Sequence, residues 1–336
     1  TQTRSMVMAQ RSTAVSAPVS AQSVRMLPGR QPRRGCRHRR LYTPSVRPRA
    51  SLNAYAFLAF PLTILLVFTL LPTIAGLGLS LFRWGGGGSP SFVGPDNFRA
   101  LAADDKFSPA LRNTLLFVIA TVPLTTIAAF LLATVIHARW FAGKAIVRTL
   151  FFLPTVISIV AIGFVWRWLL DADAVPVSAL ARAIGWPHPP NWLQDGSWPM
   201  VAIIVISIWR GVGFCLVLYL AALGSISESL YEAAEIDGAS RTGALRHITW
   251  PQVAPMTAFL LITGVIGALQ VFDIVFVITG QTAETDTTNV LNLAIYRQFT
   301  YGQYGYAAAI GVVIFALTLG ATLGQLWYFR QREAAS

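Results

Sequence analysis

The sequence predicts an all-α polytopic membrane protein with about six transmembrane helices, and three observations carry that prediction. The 336-residue chain is 54% hydrophobic and only 12% charged, with a mean hydropathy of +0.57, a balance foreign to soluble domains. Its apolar residues gather in runs of about 20, the length that ~30 Å of hydrocarbon demands. The runs are continuous and do not alternate, so helices are expected and not barrel strands.

Residues 1–50 come first and differ from the rest. They hold eleven of the Arg residues and no acid, while the remainder carries 15 basic and 14 acidic side chains. The formal charge of +12 therefore belongs to a tail whose composition predicts a basic, disordered cytoplasmic segment. Three readings of it stay open: an arm touching anionic lipid headgroups, a targeting segment, or sequence upstream of an initiator at Met26. No folded module accompanies the charge, so nucleic acid is not an expected partner. Cys36 lies in the tail and Cys215 in the fourth apolar run; two such separated cysteines make neither a disulfide framework nor a metal cluster.

A membrane domain is expected over residues 51–332, with spans at about 55–82, 111–136, 147–170, 199–223, 253–279 and 306–329. Gly85 to Gly88 follow the first span and read as a flexible connection. Residues 289–299 carry apolar side chains at 290, 291, 294, 295 and 299, the pattern of an amphipathic helix against the outer face. With the N-terminus inside, the inner segments hold 18 Lys and Arg and the outer ones five, Arg83, Arg99, Lys106, Arg182 and Arg297. This asymmetry predicts both termini in the cytoplasm. The same orientation puts the polar connection 224–252 on the cytoplasmic side.

That connection is the most informative part of the chain. Residues 231–255 read YEAAEIDGASRTGALRHITWPQVAP. Residues 229–236 are good helix formers with acids near the start, where the helix dipole favours negative charge. Gly238 suits the positive φ that ends a helix. Ala233, Ala234 and Ala239 let a partner approach the backbone closely, and Glu232 offers an anion to a basic group opposite. Pro251 and Pro255 suit the first turn of the next helix.

The stretch resembles the EAA loop of binding-protein-dependent ABC importer permeases through Glu232, Ala233, Ala234, Asp237, Gly238, Ala239, Ile248, Pro251 and Pro255. The resemblance implies a type I importer permease fold in the plasma membrane, with these residues docking a cytoplasmic ATPase. It extends over residues 54–329. Asn113, Thr114 and Phe117 open the second span as in sugar-importer permeases. RTLFFLPTVISIVAIGFVWRWLL over 148–170 looks like their third span, and VFDIVFVITG over 271–280 is similar to the end of their fifth. These segments point to the carbohydrate and glycerol-phosphate branch; a permease for amino acids or another small solute would share the loop but not these segments. A channel or transporter working without ATP would call for an inverted repeat or a row of intramembrane acids, and neither is seen. Departures are Gln281 to Glu284 where further glycines and a proline are usual, Trp250 where a leucine is usual, and Val175 to Ser178 after the third span.

The chain has no GxxxxGK[ST] phosphate loop and no HExxH or clustered His and Cys. The expectation is therefore no catalytic residue, metal or cofactor on this chain, with ATP and Mg on a partner ATPase. The resemblance implies a second permease subunit in a heterodimer, an ATPase dimer and an external solute-binding protein.

Solute contacts are sought among charges inside apolar runs, because an isolated carboxylate there costs on the order of 2.5–3.5 kcal/mol. Asp273 and Arg210 stand out, and in straight helices Gln270 lies one turn below Asp273 on the same face. The three are expected to line the solute path, with Arg210 and Asp273 able to pair. Arg167 sits near a span end and is expected to snorkel. Trp186, Trp192 and Trp198 fit an interfacial belt.

Overall fold

The computed structural model describes residues 48–138, 143–171, 175–186, 188–280 and 286–335. Most of the basic tail, with Cys36 and Met26, and the departure at 281–284 lie outside the described residues. The chain divides into a first unit ending at Leu58, whose residues 48–58 are helical, and a second unit, Ala59–Ser336, that holds both cavities and the loop described below.

Helix α1 (Pro48–Leu65), a π-helical turn (Leu66–Leu70) and α2 (Leu71–Leu79) supply one apolar run, Phe57–Leu79. The register change lies just ahead of Pro72, which brings no N–H to the ladder. Gly85 to Gly88 do not form a plain connection. They are the tip of a hairpin in which β1 (Phe82–Arg83) pairs antiparallel with β2 (Ser91–Phe92). Gly86 has φ +85° beneath the Tyr304 ring, and Trp84 Nε1 donates to the Gly88 carbonyl at 3.2 Å.

Next come α3 (Asp96–Ala102), the long α4 (Phe107–His137), α5 (Lys144–Val156), α6 (Ile159–Leu170) and α7 (Val175–Ala183). Then follow α8 (Trp198–Gly224), α9 (Glu228–Ile236), α10 (Arg241–Ala244), a second π turn (Leu245–Thr249) and α11 (Trp250–Leu269). The chain closes with α12 (Asp273–Thr279), α13 (Leu291–Thr300) and α14 (Tyr304–Ala335). Among the described residues five helical runs are long and apolar enough to cross a membrane, six if the bent pair α5–α6 is one span. The six expected runs are all largely helical, and residues 291–300 form the expected helix α13; of the expected apolar stripe Val290 and Leu291 are buried, Ala294 and Ile295 half-buried and Phe299 60% exposed, while Leu293, outside that stripe, is buried.

Two spans depart from the straight helices expected. The third bends by 97° between Val156 and Ile159. The fifth begins at Arg241, ahead of the expected 253, and ends at Leu269, after which Gln270–Phe272 break the helix and α12 starts afresh. Pro255 consequently stands inside α11 and not at its entry. The second π turn ends just before Pro251, so once again the register shifts where an N–H is missing.

The centre is an α4–α8 pair with α5 and α11 against it. One cluster gathers Phe117, Val122, Ile203, Ile206, Ile274 and Val275. A second joins Ala129, Phe130, Leu216, Tyr219, Val253 and Leu260 nearer the α9 end. Glycine permits the closest crossing: a Cβ on Gly213 of α8 would collide with the Phe151 carbonyl of α5 and press on Thr155 Oγ1. Gly213→Val is expected to lower stability by about 1–3 kcal/mol or more through overpacking. The check is the unfolding midpoint of the purified chain in detergent. Gly320→Val, at a position with open space around it, is expected to change little.

Candidate functional site

The two helix breaks meet at one cavity of about 480 Å³, which is lined from α4, α5, α6, α8, α11 and the start of α12. Thr155 and Ile159 reach it from the two sides of the bend, and Gln270, Val271 and Phe272 form the other break. Irregular backbone at membrane depth is tolerated where it lines a polar cavity. Apolar wall comes from Phe117, Phe214 and Phe272; polar wall comes from Thr121, Thr125, Thr126, Ser207 and Thr263. Thr121 and Ser207 donate to the carbonyls four residues earlier at 2.6 and 2.7 Å, so their oxygens still have capacity to accept. A Cβ on Gly267 would meet nothing within 4 Å.

All three residues sought from sequence line this cavity: Arg210, Gln270 and Asp273. The pairing does not occur, since among the described residues neither a hydrogen bond nor an ion pair joins Arg210 to Asp273. Arg210 Nε is buried without a partner. Gln270 is not one helical turn below Asp273, because α11 has ended and Asp273 opens α12. Arg167 does not merely snorkel either. Its Nη1 donates to the Val277 carbonyl in the last turn of α12 at 3.4 Å, with the guanidinium against Gly280. There it offsets the negative helix end.

A second constellation lies where α8 leaves the bundle. Helix α9 ends in a Schellman turn: the Gly238 N–H reaches the Glu235 carbonyl at 3.1 Å, the Ala239 N–H reaches Ala234 at 2.8 Å, and Gly238 has φ +74°. Ser240 then caps α10, its Oγ accepting from the Gly243 N–H at 3.1 Å. Glu232 faces a cavity of about 760 Å³ with Glu228 and Glu235, across from Lys144 and Arg241. At 100° per residue, Leu230, Ala233, Ala234 and Asp237 fall on the other face of α9. Leu230 is 42% and Ile236 87% exposed. Ala239 and Pro251 are exposed, and Ile248 is half-buried.

This loop is mechanically tied to the bundle. Tyr231 Oη lies 2.9 Å from Thr249 Oγ1, which joins α9 to the second π turn. Trp250 packs edge-on against Phe130 of α4 at 5.4 Å, Phe130 does likewise with Tyr219 of α8 at 5.5 Å, and Tyr219 Oη donates to Thr257 of α11 at 3.0 Å. Trp250, the departure noted in the sequence, thus supplies the contact that joins the loop to three helices. From Arg241 to Leu269 the backbone is one helical run of 29 residues, ~43 Å long at 1.5 Å per residue. Its far end carries Gly264 and Gly267, which line the central cavity.

The sequence marks Asn113 and Thr114 without showing their role. Asn113 Nδ2 donates to the carbonyls of Asp286 and Asn289 at 2.6 and 3.0 Å, and Thr114 Oγ1 accepts from the Leu291 N–H at 3.0 Å. Together they pin the entry of α13 to α4. Trp186, Trp192 and Trp198 pack on one another with centroids 5.2–5.6 Å apart.

Comparison with known proteins gives the family. Residues 137–332 match the family described as binding-protein-dependent transport system inner membrane component. The chain is 35% identical over 286 residues to the lactose transport system permease protein LacF of Rhizobium radiobacter, covering 84% of this chain and 95% of the relative. It is 30% identical to the multiple sugar-binding transport system permease protein MsmF of Streptococcus mutans, covering 80% and 93%. A crystal structure of a bacterial ABC transporter importing the acidic polysaccharide alginate contains a chain with TM-score 0.73 and 27% identity, over 84% of this chain and 96% of that one. A further structure of such a transporter, with a periplasmic protein bound to alginate pentasaccharide, matches at TM-score 0.73 and 28% identity over 82% and 93%.

Proposed function

The chain belongs to the binding-protein-dependent transport system inner membrane component family, and from that premise, as the multi-pass permease of a solute-binding-protein-dependent ABC importer, we propose that it carries a sugar. The solute would pass through the cavity at Arg210, Gln270 and Asp273. The observation that carries the coupling of ATP to this path is the continuous helical run from Arg241 to Leu269, which physically joins the α9–α10 loop to that cavity.

In this account the α9 end faces the cytoplasm, in keeping with the bias of Lys and Arg toward that side, and both termini lie there. An ATPase dimer, which binds ATP and Mg, docks on Glu232, Ala233, Ala234, Asp237, Gly238, Ala239, Ile248 and Pro251, and a second permease subunit completes the pore. A loaded solute-binding protein engages the opposite end. Closure of the ATPase dimer moves α9 and α10; Tyr231–Thr249 and the Trp250–Phe130–Tyr219 stack pass the displacement to α4, α8 and α11. ATP and the loaded binding protein shift the two-state equilibrium only by their differential affinity for its states. The membrane is the cell membrane, and the sugar class follows the relatives' lactose and multiple-sugar transport.

The test is ATP-driven uptake by proteoliposomes holding the chain with its partner subunits and binding protein. Uptake of at least one labelled mono- or disaccharide is expected. Uptake of amino acids alone, with every sugar excluded, would overturn the sugar reading.

A further inference from the structure

We propose that Arg210 and Asp273 make the central cavity a charge-balanced receptacle that selects uncharged, hydroxyl-rich solutes over anionic ones; this rests on the sugar reading above and narrows it. Among the described residues they are the two charged side chains in the cavity's lining, one of each sign, and nothing bonds them to each other. Arg210 lines the open volume with no ion-pair partner among the described residues and with its Nε buried and unbonded, so the guanidinium keeps donor capacity for a solute.

A neutral carbohydrate answers both groups at once. Each hydroxyl donates and accepts, so vicinal hydroxyls can receive from the Arg210 fork and give to the Asp273 carboxylate. The Phe214 and Phe272 rings suit the apolar C–H face of a pyranose. A solute bearing a carboxylate or phosphate gains at Arg210 but must bring its charge into the same ~480 Å³ as Asp273. Asp273 is exposed to the cavity, and placing a like charge beside it is a usual means of rejecting a wrong ligand. The glycerol-phosphate branch of the sequence expectation is therefore disfavoured, as are acidic sugars of the kind carried by the alginate importer.

The cavity contains its own reporter, because Cys215 lines it. The assembled transporter in nanodiscs, with Cys36→Ser in this chain, is treated with methanethiosulfonate reagents of similar size. One is neutral (hydroxyethyl), one anionic (sulfonatoethyl) and one cationic (trimethylammonioethyl). Labelling is read on this chain by mass, and rates are divided by those with a free small thiol. The anionic and cationic reagents should then react within about threefold of each other. Asp273→Asn should raise the anion-to-cation ratio roughly tenfold, and Arg210→Gln should lower it by a similar factor.

Lactose should slow labelling, and its aldonic acid at equal concentration should not. In Asp273→Asn the acid should begin to protect. A wild-type thiol that strongly prefers the anionic reagent, protection by the acid equal to that by lactose, or no reaction with the neutral reagent would each overturn the proposal. Charge ratios that shift as expected while no member of a neutral disaccharide panel protects would overturn the sugar reading, and with it the solute class inferred here.

Discussion

Replacing Gly238 with valine is expected to cut ATP-driven uptake by about 10- to 100-fold, the range of a typical coupling free energy, while the chain inserts normally. Gly238 sits at φ +74° with open space where a Cβ would go, so valine meets no neighbour and the whole effect comes from the backbone. A β-branched residue resists the left-handed region strongly. The Schellman turn that sets α9 against α10 would then open, and the exposed alanines would no longer be presented together. Gly238→Asn is the control, because asparagine tolerates this conformation and should retain most of the uptake. Uptake is measured in proteoliposomes alongside the amount of chain inserted. Equal loss in both variants would mean that the glycine acts by something other than its turn.

Gly267→Leu is expected to reduce uptake to background while leaving ATPase association intact. The position lines the central cavity, and a Cβ placed on it would meet nothing within 4 Å, so the leucine extends into open volume and not into packed helix. Folding should therefore survive. Gly264, one turn earlier, gives the contrast: its Cβ would press on Val122 Cγ1 at 3.0 Å, and leucine there should also lower stability. Full transport by Gly267→Leu would place the solute path elsewhere.

Much of this was legible in the sequence, for identifiable reasons. Six helical runs could be found because crossing hydrocarbon requires about 20 apolar residues. The turn at Gly238 could be found because few residues accept its φ. Arg210 and Asp273 stood out because charge in an apolar run is costly. The breaks at Ile157–Ser158 and Gln270–Phe272 were not legible, since no glycine or proline occupies either one and hydropathy is blind to direction. That blindness produced the mistaken placing of Gln270 one helical turn from Asp273. The work of Asn113 was hidden for another reason: the carbonyls it holds are 173 and 176 residues away.

Coupling through the α9–α10 loop requires that the loop touch the ATPase in the assembled transporter, and photo-crosslinking reads that contact. A photo-reactive benzoylphenylalanine is placed at Ala233 on α9, and in a second variant at Tyr301, which is 70% exposed beyond α13 at the other end of the bundle. Illumination of the assembled transporter should join position 233 to the ATPase subunit and never to the solute-binding protein. Position 301 should give no ATPase adduct. Capture of the ATPase from 301, or of the binding protein from 233, would contradict both the orientation and the coupling role assigned to the loop.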